Sequence, residues 1–213
     1  MNKAILNSEN DVPARIAQRT LAKRGAGYAS EVRRLLDAAL EVMRQGGTAS
    51  RPRVADIVAA AGLSNDAFYR HFPSKDALVA ALLEDGAERL AGYVAHQMDK
   101  EPAPAGKVRR WVEGVLSQTR EEIAAATLAV LWNSGQIGES FASGRHSATA
   151  PLAALLHGPF AELGSADPEL DASLAAHATV GKISDYLWQR ATPSPAEIDH
   201  ITGFCLRAIT PRT

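Results

Sequence analysis

The stretch from Val54 to Lys75, VADIVAAAGLSNDAFYRHFPSK, constrains the fold of this chain more than any other feature. Its first apolar residues, including Ile57, Val58 and Ala61, recur at the i, i+3, i+4 and i+7 spacing of one helix face. Gly62 follows, and glycine takes the left-handed conformation that ends a helix without a Cβ penalty. The stretch therefore begins with a helix of about two turns that stops at a tight turn.

A second short helix is predicted directly after that turn. Ser64 is a suitable N-cap, because its hydroxyl can accept a hydrogen bond from the free amides of the first turn. Phe68 and Phe72 are four residues apart and share a face, which we assign to the core. Pro73 stops the helix, and Ser74 caps a third one. The remaining positions carry polar, aromatic and basic side chains that the core does not use.

Two helices at a short Gly-containing turn, with donors near the start of the second, form a helix-turn-helix unit, whose second helix lies in the major groove of DNA. The generic unit is a weak signal by itself. A preceding amphipathic helix from Val32 to Met43, which ends at Gly46 and Gly47, supports the same interpretation. The three helices together can enclose a small core.

The motifs AAGLS, FYRHF and PSKDAL occur in the order and at the spacing of a known pattern. In this respect the chain resembles the DNA-binding domain of the TetR family of bacterial transcriptional regulators. The pattern covers residues 31–90. The resemblance implies an all-α chain, with an N-terminal three-helix helix-turn-helix domain joined by a helix to a larger helical ligand-binding and dimerisation domain. We expect a flexible basic arm at 1–29, the DNA-binding domain at 30–76 and the larger domain at 77–213.

Charge is distributed unevenly between the two ends of the chain. Residues 1–75 hold 12 Lys and Arg against 7 Asp and Glu, a net charge of +5, whereas residues 76–213 hold 11 against 17, a net of −6. The N-terminal third therefore suits a phosphate backbone. The first 30 residues show little apolar periodicity, so we interpret them as an arm that either reaches DNA beside the recognition helix or is a solvated tail.

The resemblance also assigns roles to single residues. Tyr69 and His71 match the family's aromatic and histidine positions, which contact phosphates or base edges, and Lys75 matches its phosphate-binding lysine. Asn65 suits a bidentate contact to adenine, and Arg70 can reach a phosphate or a guanine. The expected DNA-binding residues are Arg53, Asn65, Asp66, Ala67, Tyr69, Arg70, His71 and Lys75.

Three of these residues depart from the family pattern. Asp66 and Ala67 stand where many relatives carry a small residue and then threonine, so a hydroxyl contact is missing and a carboxylate approaches the phosphates. Asp66 can instead stabilise the helix N-terminus or accept from a cytosine amino group. Arg53 replaces a threonine-rich helix start and either contacts a phosphate or faces solvent.

Beyond Leu90 the pattern stays helical, and no strand-like alternation of useful length occurs. By resemblance this part binds a small-molecule effector and forms a homodimer. Candidate effector contacts are large or polar-tipped side chains spread over its helices, namely Tyr93, Met98, Trp111, Trp132, Phe141, His146, Phe160 and Tyr186. Candidate dimer contacts lie among small and apolar residues near the C-terminus, namely Leu174, His177, Ala178, Gly181 and Ile183.

Other classes of function lack their motifs. The histidines show no metal-ligand spacing, the nucleophiles lack a local base, and no nucleotide-binding glycine loop occurs, so we expect no metal, no cofactor and no enzyme activity. The single cysteine, Cys205, and the absence of a long apolar run favour a cytoplasmic protein without a membrane partner. The resemblance implies a repressor that a small molecule releases from a palindromic double-stranded operator. An activator, or a regulator that lost its ligand and responds to a protein partner, is an alternative within the same fold. An all-helical hydrolase or small-molecule-binding protein without sequence-specific DNA binding is the alternative.

Overall fold

The computed structural model describes residues 12–135 and 142–209, and within them the side chains at 21, 25–135 and 149–209. These ranges form nine α-helices and no β-strand, which confirms the all-α prediction. The helices are α1 (Val12–Gly46), α2 (Val54–Ala61), α3 (Asn65–His71), α4 (Lys75–Met98), α5 (Pro104–Leu116), α6 (Glu121–Ser134), α7 (Ala142–Glu162), α8 (Pro168–Gln189) and α9 (Pro195–Arg207). In the part of the chain that is described, no helix is both long enough and apolar enough to cross a membrane.

Helix α1 begins at Val12, much earlier than the sequence predicts. Residues 12–29 were assigned to an arm because they lack an apolar face, yet they continue the helix that enters the core from Val32 onward. Their good helix formers, such as the Ala, Gln, Arg, Leu and Lys of AQRTLAKR, account for this without an apolar face. Residues 1–11 lie outside the described residues. The exposed turn of α1 at residues 25–30 therefore projects from the core as ordered helix.

The turn between α2 and α3 has the predicted geometry. Gly62 adopts the left-handed conformation, with φ 61°. The guanidinium of Arg34, on α1, donates to the Ala61 and Gly62 carbonyls at 2.5 and 3.0 Å, so a side chain satisfies the helix end. Ser64 Oγ accepts from the Ala67 amide at 3.1 Å, as expected of an N-cap. The direction of α3 is thus fixed on both sides of the turn.

The first core lies under α1 to α4. Phe68 is fully buried and Phe72 is 7% exposed, which confirms their assignment to the core. Phe72 itself lies just past the end of α3, in extended conformation with φ −128°. Leu35 and Leu78 complete the centre of this cluster. Side chains from three separate helices hold α3 in place, so its outer face is left free.

Two helices belong to both halves of the molecule. The start of α4 buries Leu78 and Leu82 in the first core, and its end buries Val94 and Met98 in a second core. Helix α6 also contributes to the first core, through Val130 and its neighbour Ala129. The N-terminal domain and the larger domain therefore share α4 and α6 rather than a flexible linker.

The second core fills the space between α4, α5, α7, α8 and α9. Trp111 lies at its centre without exposed surface, and its indole Nε1 donates to the Leu152 carbonyl at 2.8 Å. Leu156 and Phe160 of α7 are also fully buried there. A buried indole with its N–H satisfied is a packing element, because both its apolar ring and its donor are used internally.

Candidate functional site

The outer face of α3 carries four exposed side chains, those of Asn65, Asp66, Tyr69 and Arg70. They follow the i, i+1, i+4 and i+5 spacing of one helix face. Tyr69 is the largest of them and is 58% exposed. All four carry groups that donate or accept hydrogen bonds at base edges or phosphates. The face is therefore polar and exposed, and the Tyr69 ring meets the buried Phe68 ring edge-on with centroids 5.2 Å apart.

Two of the expected DNA-binding residues lie on the opposite face of α3. Ala67 is 5% exposed. The side chain of His71, one turn later, is 4% exposed and points toward α1. The two residues are four apart and share the inner face with Phe68. Their burial separates them from the four exposed residues, and that either contacts DNA stays a prediction.

A cluster that the sequence analysis did not find joins α3 to α1. Glu31 Oε2 accepts from Arg70 Nη2 at 2.8 Å and lies 2.7 Å from His71 Nε2. The Tyr28 ring meets His71 edge-on with centroids 5.0 Å apart, and the Arg70 guanidinium lies 5.8 Å from the Tyr28 ring centroid. The hydrogen bond with His71, and then that with Arg70, lowers the pKa of Glu31 from its usual value. We call Tyr28, Glu31, Arg70 and His71 the α1–α3 cluster.

The remaining expected contacts lie at the starts of helices. Arg53 is the residue before α2, and its guanidinium forms two hydrogen bonds of 2.9 Å with Asp56 in the first turn. Its side chain is still 79% exposed. Lys75 is the first residue of α4 and is partly exposed. That either residue contacts DNA stays a prediction.

A cavity of about 940 Å³ lies between α4, α6, α7 and α8. Its described lining is mostly aliphatic, with Leu90, Leu131 and Val180 among the contributors, and a few hydroxyl and imidazole groups such as Thr127 and His177 interrupt it. A predominantly apolar cavity with few polar groups, of several hundred Å³, is typical of small-molecule sites. This cavity is therefore the candidate effector site.

One wall of the cavity is tied to α1 by an ion pair. Arg33 donates to both carboxylate oxygens of Asp85, at 3.0 and 2.5 Å, and Arg89 approaches the same carboxylate at 3.0 Å. The Arg33 hydrogen bonds are the main reason that the pKa of Asp85 is below its usual value. Asp85 and Arg89 line the cavity, and Arg33 lies two residues after Glu31. The cavity wall and the α1–α3 cluster therefore both connect to one turn of α1.

Residues 35–82 match the family model described as "Bacterial regulatory proteins, tetR family". The helix-turn-helix domain belongs to the TetR family. The match spans the end of α1, all of α2 and α3, and the first part of α4. No curated protein matches the sequence.

Solved structures share the TetR-like fold over most of the chain. A protein from Rhodococcus sp. assigned to this family has a TM-score of 0.67 and 20% identity, over 85% of this chain and 100% of that one. The fatty acid degradation regulator FadR from Bacillus halodurans has a TM-score of 0.64 and 16% identity, over 81% and 96%. FadR from Bacillus subtilis, solved in complex with stearoyl-CoA, has a TM-score of 0.61 and 13% identity, over 84% and 98%. At sequence identities of 20% or less, these similarities show a shared fold alone.

Within this TetR-like fold, the effector contacts expected from sequence are mostly core residues. Tyr93 lines the cavity, whereas Trp111 and Phe160 are fully buried and Tyr186 donates its hydroxyl to Glu197 at 2.9 Å. Met98 is buried at the far end of α4, and Trp132 is not among the cavity-lining residues. Phe141 and the side chain of His146 lie outside the described residues. The size of a side chain does not by itself distinguish a cavity-lining residue from a core residue, because both environments favour apolar side chains.

Two of the expected dimer contacts on α8 lie outside the cavity, and three border it. Leu174 is 58% exposed, and Ala178 is also exposed. His177 and Gly181 are exposed but line the cavity, as does the buried Ile183. Three residues expected at a subunit interface therefore border the cavity. An apolar stripe that the sequence analysis did not name, with Leu170 and Trp188 at 55% and 58% exposure, extends the Leu174 face along α8.

Proposed function

We propose that the chain is a homodimeric transcriptional repressor that binds a palindromic operator through α3 and is released by a small molecule in the cavity. The observation that carries the proposal is the free polar face of α3, held by a buried inner face in a helix-turn-helix domain of the TetR family. An exposed recognition helix with donors near its start is what major-groove binding requires.

Different residues recognise the base sequence and position the protein on the DNA backbone. Asn65 presents an amide at the start of α3, where it can form two hydrogen bonds with adenine. Tyr69 and Lys75 carry a hydroxyl and an ammonium group suited to phosphates, which fix the register without reading sequence. Asp66, in the first turn, stabilises the helix N-terminus or accepts from cytosine.

The cavity supports an effector that is mainly apolar. Its volume suits a molecule of drug size or larger, and its aliphatic lining favours burial of hydrocarbon surface. FadR from Bacillus subtilis, of similar fold, was solved with stearoyl-CoA. An effector acts on DNA binding only through its difference in affinity for two arrangements of the protein. Helices α4 and α6 are the candidates for this coupling, since each contributes to the first core and to the cavity.

The exposed stripe on α8 supports the homodimer. Leu170, Leu174, Gly181 and Trp188 recur at i, i+4, i+11 and i+18, which places them on one helix face. Phe204, on α9, adds a further aromatic ring that is 47% exposed. Apolar side chains in a continuous stripe mark an interaction surface, and a closed two-fold dimer would present two α3 helices to the two halves of a palindrome.

Selection of bound sequences from a random DNA pool tests the proposal. We expect one palindromic sequence to be enriched, and equilibrium sedimentation at micromolar concentration to give twice the chain mass. Lys75→Ala should weaken binding to all sequences. Lys100→Ala, which removes the same charge just past the other end of α4, is the matched control and should leave binding unchanged. Enrichment of no sequence, or a purely monomeric protein, contradicts the model.

A further inference from the structure

We propose that Glu31 is a specificity-determining residue, because its carboxylate takes the place of a DNA phosphate on Arg70 and so suppresses sequence-independent binding. The inference rests on the proposed function, since it requires that α3 meets DNA. Glu31 lies on α1, 39 residues before Arg70.

The geometry of the α1–α3 cluster is that of an occupied anion site. One carboxylate oxygen, Glu31 Oε2, engages Arg70 Nη2 at 2.8 Å and His71 Nε2 at 2.7 Å. The Glu31 side chain is 32% exposed and that of His71 is 4% exposed, so the second of these contacts is largely shielded from water. The Tyr28 ring contacts His71 edge-on and lies 5.8 Å from the Arg70 guanidinium carbon. Arg70 is thus held by an anion and an aromatic face at once.

A carboxylate and a phosphate compete for the same groups. Both are anions with oxygens that accept charge-assisted hydrogen bonds from a guanidinium, and both are recognised in the same geometry. An arginine already neutralised by a carboxylate releases no condensed counterion from DNA, so it adds nothing to salt-dependent affinity. Glu31 therefore removes Arg70 from the electrostatic part of binding.

The pairing of Glu31 with Arg70 changes the ratio of specific to nonspecific DNA affinity. Phosphate contacts strengthen binding to every sequence alike, whereas base contacts strengthen binding to one. With Arg70 held by Glu31, the outer face of α3 depends on the uncharged groups of Asn65 and Tyr69 and on the carboxylate of Asp66. The recognition helix then favours its operator over random DNA by having little attraction for the backbone.

Glu31→Gln tests the inference, because glutamine keeps the size and the acceptor oxygen but loses the charge. We expect tighter binding to random-sequence duplex DNA, on the order of five-fold for each subunit at 0.15 M salt. The slope of log affinity against log salt should become steeper by about 0.9 per subunit. The ratio of operator to random-DNA affinity should fall. Thermal unfolding of the variant, followed by circular dichroism, checks that it is folded.

The matched control is Glu41→Gln, which removes the same charge from the same helix three turns later, where the carboxylate pairs with Arg44. It should leave the salt slope unchanged. Arg70→Gln is a second variant, which tests the inference even if Glu31→Gln is poorly folded. Arg70→Gln should change the salt slope little in the presence of Glu31, and should cancel the steeper slope when combined with Glu31→Gln.

Three outcomes would overturn the inference. The first is a wild-type protein that binds operator DNA while Glu31→Gln leaves both affinity and salt slope unchanged. The second is weaker binding of Glu31→Gln to all sequences at an unchanged slope, which would make Glu31 a packing residue alone. The third is a wild type that binds no DNA, which would also overturn the proposed function, so the two failures are distinguishable.

Discussion

The recognition face of α3 and the cavity of the larger domain are assembled in opposite ways. The face consists of exposed side chains within one helix, between Asn65 and Arg70. The cavity is lined by residues of five helices, the first in the chain being Leu40 and the last Ser184, and most of this lining is apolar. A site on one helix follows from local periodicity, whereas a site between helices depends on how the chain packs.

The two regions also differ in how they use charge. In the α1–α3 cluster one carboxylate, that of Glu31, contacts two partners on α3. At the cavity, the Asp85 carboxylate pairs with Arg33 and Arg89 and connects the wall to the same helix. Since Glu31 and Arg33 are two residues apart on α1, movement of α1 relative to α3 and α4 would disturb both pairs. The comparison therefore predicts two regions that fold around separate cores but share polar connections.

The largest expected effect comes from Phe68→Ala, which removes a fully buried ring from the first core. We expect the free energy of unfolding to fall by about 3–5 kcal/mol, measured by urea denaturation, and operator binding to be lost. Binding of the fluorophore 1-anilinonaphthalene-8-sulfonate in the cavity should persist. Leu21→Ala, at a side chain of α1 that is 66% exposed, is the control and should change stability by no more than about 0.5 kcal/mol. Parallel loss of fluorophore binding would make the two regions one folding unit.

A smaller effect is expected from filling the cavity. Gly86 lies on α4 at the cavity wall, and a Cβ added there meets nothing within 4 Å. Gly86→Trp should weaken binding of the same fluorophore at least ten-fold, measured by fluorescence titration, and leave operator affinity unchanged. Gly92→Trp is the matched control, because Gly92 lies on the same helix with equally open space but is not a lining residue. Equal affinities for the two variants would show that the fluorophore binds elsewhere.

The smallest effect concerns the ion pair that joins the regions. Asp85→Asn should lower the free energy of unfolding at pH 7 by about 1 kcal/mol, since the side chain is partly exposed. The pKa of Asp85 is lowered in the folded state, so its stabilisation is present above the ordinary value of 3.8 and is lost as the pH falls through the lowered one. Urea denaturation should therefore show the difference between wild type and variant shrinking as the pH falls below 3.8. Asp37→Asn, whose carboxylate lies 3.6 Å from Arg33 and is 59% exposed, should have little effect. A difference that grows in acid would contradict the assignment.

Local sequence signals predicted the parts of the fold that local interactions decide. The spacing of Ile57, Val58 and Ala61, the glycine at 62 and the cap at Ser64 gave α2, the turn and the start of α3. The start of α1 was missed because helix propensity without an apolar face resembles a solvated segment. That Ala67 and His71 face inward follows from the same periodicity that placed Phe68 in the core, since all three share one face of α3.

The sequence by itself determined the all-α class, the helix-turn-helix domain and the burial of Phe68 and Phe72 in the core, because helix periodicity and caps act over a few residues. Only the tertiary structure decided that Glu31 neutralises Arg70, that Trp111 and Phe160 pack while Leu90 and Val180 line a cavity, and that Arg33 reaches Asp85. Each of these depends on the distance between helices far apart in the chain. Apolar and charged side chains have the same local pattern whether they meet a neighbour, a cavity or water.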